Sequence, residues 1–67
     1  MKKLRWIVER YPADKIMSIE IYISWGEYMD IHIEIDEGKM DSYRCDDFDE
    51  IIEFLEYYKK KSRIIKE

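Results

Sequence analysis

Two stretches of the chain alternate apolar and polar residues without a break, and this alternation restricts the fold more than any other feature. Met17, Ile19, Ile21, Ile23 and Trp25 take one parity, and Ser18, Glu20, Tyr22 and Ser24 take the other. Met29, Ile31, Ile33 and Ile35 repeat the pattern, with Asp30, His32, Glu34 and Asp36 on the alternate positions. A period of two is the period of a β-strand, so each stretch reads as a strand with one buried and one solvated face. Both apolar sets are odd-numbered, so cross-strand partners must sum to an even number. A two-residue Gly26-Glu27 turn would set apolar against polar at every pair. A longer loop or a bulge is therefore expected, with Trp25 opposite Met29, Ile23 opposite Ile31, Ile21 opposite Ile33 and Ile19 opposite Ile35. On the solvated face that register sets Glu20 against Glu34, Tyr22 against His32 and Ser24 against Asp30.

Asp36-Glu37-Gly38 suits a turn closed by a left-handed glycine. It leads into a third strand from Lys39 to Cys45, with Tyr43 and Cys45 inward and Ser42 and Arg44 outward. Ahead of the strands, Leu4, Ile7, Val8 and Tyr11 fall at i, i+3, i+4 and i+7, one face of a helix of about three turns that Pro12 ends. Trp6 points away from that face, to be half-covered or left as a contact residue. After the strands, Asp47 is an N-cap with Glu50 at N3. Phe48, Ile51, Ile52, Leu55 and Tyr58 form the apolar stripe of a second helix running to about Lys61. Ile64 and Ile65 either extend this helix or fold back as an apolar clip. The expected fold is α+β in the order α-β-β-β-α: a three-stranded antiparallel meander with both helices on one face and the other face open to solvent. Its expected core is Ile19, Ile21, Ile23, Ile31, Ile33, Ile35, Phe48, Ile51 and Leu55.

At 67 residues the chain is expected to form one small domain, 1–67, with few residues left over for a deep catalytic cleft. The single cysteine, Cys45, rules out an internal disulfide framework, and the expected compartment is a reducing cytoplasm. Met1-Lys2-Lys3-Leu4-Arg5 begins like a signal n-region, but Glu9 and Arg10 interrupt Trp6-Ile7-Val8 far short of an h-region. Every apolar run is broken within a few residues, too soon for a membrane-spanning helix.

Catalytic chemistry has little to work with. His32 and Cys45, the sole imidazole and the sole thiol, are assigned to opposite faces of the sheet, which excludes a Cys–His dyad. Glu20, His32 and Glu34 are neighbours on an open face that lacks the enclosing shell a metal site needs, so that face reads as ordinary polar surface. An exposed sheet also offers no apolar enclosure to raise one carboxyl of an acid–base pair. Gly26 and Gly38 are isolated turn glycines, not a phosphate loop. The expectation is a non-enzymatic protein without metal or cofactor.

Charge carries the functional information. Residues 1–15 hold a net +3, residues 16–58 a net −11 and residues 59–67 a net +4, for −4 overall. Most of such a surface repels nucleic acid and attracts a cationic partner. The α-β-β-β-α order resembles the double-stranded RNA-binding domain, but that family's lysine-rich start of the second helix corresponds here to Asp46-Asp47-Phe48-Asp49-Glu50, which would repel phosphates. Helix-dipole complementarity explains acids in the first turn and Lys59, Lys60 and Lys61 in the last, with Glu56–Lys60 as an i,i+4 pair. It leaves unexplained the stripe of Asp49, Glu53 and Glu56, and Glu20 facing Glu34. Repulsion accepted without compensation marks a candidate site. The candidate binding set is therefore Glu20, Tyr22, Asp30, His32, Glu34 and Asp36 on the open sheet face, with Asp49, Glu53 and Glu56 on the second helix. In size, element order and charge the chain resembles small acidic phage-encoded inhibitors that mimic nucleic acid, including some anti-CRISPR proteins. That resemblance implies occupation of a basic surface of a protein partner. The alternatives are an acidic protein–protein adaptor using exposed aromatics such as Tyr22, Tyr28, Tyr57 and Trp6 and, ranked below it, a small metal- or ligand-binding module. The long first strand, with a free edge, is also able to pair with its symmetry mate in a homodimer.

Overall fold

In the computed structural model, which describes residues 2–66, the alternating stretches form adjacent antiparallel strands, β1 (Ser18–Ser24) and β2 (Tyr28–Asp36). Ile19, Ile21, Ile31 and Ile33 are fully buried, with Ile23 and Met29 completing the inner face. The parity was legible, but the register was not. Ile19 pairs with Ile33, Ile21 with Ile31 and Ile23 with Met29, a slip of two residues from the expected ladder. The turn explains it. Gly26 has φ +81° and the Glu27 N–H donates to the Ser24 carbonyl at 3.0 Å, so Gly26 takes the third turn position, where positive φ is required. Trp25 is thereby expelled from the ladder into the loop, 59% exposed, and Tyr28 pairs with Ser24. Met17, also expected inward, lies beyond the start of β1 and is exposed, while Ile16 takes the buried place.

β3 (Lys39–Cys45) pairs antiparallel with β2 in the expected orientation, with Tyr43 and Cys45 inward. The turn before it uses Gly38 at φ +81°, and a ladder irregularity between Glu34 and Asp36 lifts Ile35 out of the expected core to half-burial.

The three-stranded meander is corrected to a mixed four-stranded sheet. β4 (Ser62–Lys66) runs parallel to β1, Ile21 beside Ile64, and the strand order is β3-β2-β1-β4. Ile64 and Ile65 thus fold back. Being β-branched, they favour extended backbone, and the exposed edge of β1 offers a row of unpaired N–H and C=O groups to satisfy. Because β4 occupies that edge, the expected homodimer through the first strand has no free β1 edge to use. The added strand also ends the full match to the order of the double-stranded RNA-binding domain.

Two helices lie on the inner face. α1 (Arg5–Arg10) is shorter than expected, but Leu4, Ile7 and Tyr11 are buried as its apolar spacing requires. α2 (Phe48–Tyr57) starts at Asp47, whose carboxylate accepts from the N–H groups of Asp49 (3.0 Å) and Glu50 (3.4 Å). It stops at Tyr57, not near Lys61. Residues 59–61 form a 3₁₀ turn, and Ser62 Oγ donates to the Tyr58 carbonyl at 2.9 Å. The expected Glu56–Lys60 pair consequently has its second member outside the α-helix.

The buried side of α2 is Ile51, Phe54 and, at its end, Tyr58, with Leu55 half-buried; Phe48, expected in the core, and Ile52, expected on the apolar stripe, are 42% and 53% exposed. Phe54, absent from the expected stripe, is fully buried. The helices lie side by side. Glu50 accepts from the Lys2 N–H (2.6 Å) and the Leu4 N–H (3.4 Å), taking up N–H groups at the start of α1 in place of the expected capping box. The buried Tyr58 hydroxyl donates to the Tyr11 carbonyl at 2.5 Å and lies 3.3 Å from that of Val8. α1 is set over β3: Trp6, half-covered, meets Tyr43 edge-on at 5.0 Å, and the Tyr11 hydroxyl donates to Asp41 and contacts the Tyr43 hydroxyl. Among the described residues no helix is long and apolar enough to cross a membrane.

Candidate functional site

The candidate residues separate into two groups on opposite sides of the molecule. Even-numbered residues of β1 and β2 share the open sheet face, which brings together Glu20, Tyr22, Asp30, His32 and Glu34. Asp36 lies at the exposed end of β2. Asp49, Glu53 and Glu56 lie on α2, across the sheet from that group, all exposed.

On the sheet, the observed register removes the expected like-charge pair. Glu20 is opposite His32, and Glu34 is opposite Ser18, whose Oγ donates to it at 3.1 Å. Two arginines from the flanking strands then answer the carboxylates. Arg63, beside Glu20 in the parallel β1–β4 ladder, places its Nη2 3.0 Å from the Glu20 carboxylate, and the Tyr22 hydroxyl donates to the same carboxylate at 2.9 Å. The Tyr22 hydrogen bond first, and Arg63 second, hold the Glu20 carboxyl below its ordinary range. Arg44, opposite Asp30 in the β2–β3 ladder, donates from Nε at 2.9 Å and from Nη2 at 3.5 Å, and its guanidinium lies 3.7 Å from the centre of the Tyr28 ring. Tyr22 and His32 have ring centres 4.7 Å apart. The sheet face is thus a polar surface with its charges interleaved.

Sequence reasoning missed Arg63 because Arg63-Ile64-Ile65-Lys66 does not alternate, leaving no period by which to recognise a strand. Arg44 was placed outward correctly. Its pairing with Asp30 follows once the β2–β3 register is known.

The helical group differs. Asp49, Glu53 and Glu56 follow the crest of α2, turned away from its buried side. Neither Asp49 nor Glu56 has an ion-pair partner among the described residues. The neighbouring acids do other work: Asp47 caps the helix, Asp46 lies 3.6 Å from Lys3 Nζ, and Glu50 binds the start of α1, whose N–H groups hold its carboxyl below the ordinary range. Beside the crest stand Phe48 and Ile52, with Trp25 stacked on Phe48 at 6.0 Å between ring centres. The expected apolar stripe concealed this exposed trio: Phe48 and Ile52 share a face at i,i+4, but that face lies to one side of the buried one.

Cys45 is buried on the inner face, its Sγ accepting from the Asp47 N–H at 3.4 Å, with the sheet between it and His32. Among the described residues no group of three His, Cys, Asp or Glu side chains gathers closely enough to hold a metal ion. The surface hollow where Met17, Lys61 and Arg63 meet is open to solvent on one side. No protein-family model, curated protein or solved structure matches the chain.

Proposed function

We propose that the chain is a non-enzymatic acidic binding protein that occupies a basic surface of a protein partner, as an inhibitor standing in for nucleic acid. The crest of α2 carries this reading. Three exposed carboxylates, Asp49, Glu53 and Glu56, project from a helix anchored at its start by the Asp47 cap and Glu50, and at its end by Tyr58. A rise of ~1.5 Å per residue spaces them about 4.5–6 Å along the axis. That is the same order as the axial ~3.4 Å between phosphates of one strand. A rigid row of this kind is pre-organised to replace a phosphate backbone in a basic groove. The sheet carboxylates Glu20 and Asp30 have intramolecular arginine partners and contribute less. Direct binding of nucleic acid is opposed by the same charge, and no cofactor enters the reading.

The test is retention of a basic partner from source-cell lysate by the immobilised protein and by a D49K/E56K variant. The wild type should release its partner as salt rises and screening shortens below ~8 Å. Added double-stranded DNA should also release it, and the variant should not retain it. Retention indifferent to salt and to the variant would overturn the reading. A second reading, an adaptor without mimicry, is favoured by the exposure of Trp6 (49%) and Tyr57 (57%). It predicts retention that DNA does not displace.

A further inference from the structure

Of the exposed large apolar side chains near α2, Tyr57 stands on the α1 side with Arg5 and Glu9, and the others gather on the opposite flank. One flank of α2 is taken by α1, through Glu50 and Tyr58, and its underside by the sheet, through Ile51 and Phe54. Phe48 and Ile52 sit one turn apart on the remaining flank, turned away from α1, and Trp25 of the β1–β2 loop lies over Phe48 with the ring planes 15° apart. α1 stands over β3 through Tyr43 and Asp41, so the flank of α2 away from α1 is turned toward the β4 edge. There Ile64, the ladder partner of the buried Ile21, belongs to the helix-bearing face, yet it is 49% exposed. The helices thus cover β3, β2 and β1, where Ile19, Ile21 and Ile23 are buried, and leave the β4 edge incompletely covered at Ile64. Isolated surface hydrophobics need no explanation, but four large ones along one strip do.

We propose that this strip receives a basic amphipathic helix of the protein partner. Its apolar face covers Trp25, Phe48, Ile52 and Ile64, while its lysines and arginines reach Asp49 and Glu56 on the crest of α2. This rests on the reading of α2 as the acidic docking element and adds the chemistry of what docks. Charge complementarity decides the occupant: the strip is bordered by the acidic crest, so a wholly apolar or an acidic segment would be mismatched. A helix packed beside α2 at about 8–10 Å takes the place of a third covering helix. Its anchors at i, i+3, i+4 and i+7 suit a row of apolar residues presented by side chains. Among the described residues another copy of this chain offers no basic amphipathic helix: the apolar face of α1, with Leu4, Ile7 and Tyr11, is already buried, and α2, with its exposed Phe48 and Ile52, is acidic.

The test uses two synthetic probes of equal positive charge: a leucine–lysine peptide that folds as an amphipathic helix, and an oligolysine. In a Trp6→Phe background Trp25 is the sole tryptophan. Its fluorescence should shift to the blue with the leucine–lysine peptide and stay in place with oligolysine. Phe48→Ser with Ile52→Ser should weaken the leucine–lysine peptide about tenfold or more, equivalent to ~1.4 kcal/mol per tenfold, and leave oligolysine unaffected. Ile64→Lys, changed on a different element, should reproduce the loss. Equal affinity for the two probes with no blue shift would overturn the inference while leaving the acidic crest in place. Indifference of both probes to D49K/E56K would instead remove the underlying reading.

Discussion

The carboxylates of the open sheet face and those on the crest of α2 belong to the same acidic stretch of chain, but the fold treats them differently. On the sheet, Glu20 has Arg63 and Tyr22, Asp30 has Arg44, and Glu34 has Ser18. On the helix, Asp49 and Glu56 have no ion pair among the described residues, although Lys59, Lys60 and Lys61 follow in the 3₁₀ turn after α2. A strand in a sheet has neighbours on both sides, so cations from β3 and β4 are brought to it by pairing. The outward crest of a surface helix has neighbours only along its own axis. Acidity in the sequence therefore becomes charge without an ion pair among the described residues at Asp49 and Glu56, and arginine-paired charge at Glu20 and Asp30.

The contrast depends on the observed register, and the largest predicted effect tests the frame that holds it. Ile33 is fully buried, opposite Ile19 in the central strand. Ile33→Ala should destabilise the protein by about 2–5 kcal/mol in denaturant unfolding. Next door, Glu34→Ala faces solvent and should stay within about 1 kcal/mol. Similar losses at both positions would mean that the two faces of the sheet are not distinct.

The helical side of the contrast requires α2 to be held in place, and Tyr58 does this with a buried hydroxyl bonded to the end of α1. Tyr58→Phe should cost about 1–3 kcal/mol, because the Tyr11 carbonyl loses its donor. Burial pushes the Tyr58 hydroxyl up to about 12, and burial, followed by the bonds to Asp41 and Tyr43, raises that of Tyr11 as well. In the unfolded chain both ionise near the ordinary value of 10.0. Their contribution is thus intact below pH 10 and is lost as pH rises toward the folded values. Alkaline unfolding followed by circular dichroism should show stability falling above about pH 10, less steeply in Tyr58→Phe.

A smaller effect tests the sheet pair directly. Glu20 has a lowered folded-state pKa, so its contribution is present above its unfolded value and lost as pH falls through the folded one. Arg63→Ala should move the Glu20 midpoint, followed by carboxyl NMR, upward toward the ordinary value. It should remain below that value, because the Tyr22 hydroxyl still donates. A midpoint unmoved by Arg63→Ala would place the pairing of β4 with β1 in doubt.

How much of this was readable beforehand follows from the range of the interactions. Alternation is local, so the three antiparallel strands, their faces and the Asp47 cap were legible from residue spacing. Register was not, since slips by two residues preserve every apolar face, and only the positive φ of Gly26 chooses between them. β4 was illegible for a related reason: Arg63-Ile64-Ile65-Lys66 has no period of two, and its extended backbone is set by the edge of β1. The site inherited both gaps. Glu20 and Glu34 looked like uncompensated neighbours because the register was off by two, and because Arg63 belongs to a strand with no local signal. The exposure of Phe48 and Ile52 depends on which side of α2 meets the sheet, and Phe54 with Ile51 determines that.

The smallest predicted change in stability is the one that most sharpens the contrast between sheet and helix. Asp49 sits in the first turn of α2 and Glu56 in the last. Asp49→Lys places a cation at the positive end of the helix dipole, and Glu56→Lys places one at the negative end, so contributions of about 0.3–1 kcal/mol each act in opposite directions. Neither change breaks an ion pair among the described residues. The double variant should therefore unfold within about 0.5 kcal/mol of the wild type, the range of an ordinary surface change. Each single variant should depart from it in its own direction, Asp49→Lys downward and Glu56→Lys upward. The same exchange shifts net charge from −4 to neutrality, counted as two acids replaced by two bases. If the crest is a working surface, basic partners should be lost with folding intact. A double variant much less stable than the sum of its singles would show that the crest carboxylates act together in holding the fold. They would then belong with Glu20 and Asp30, and the contrast between the two surfaces would fail.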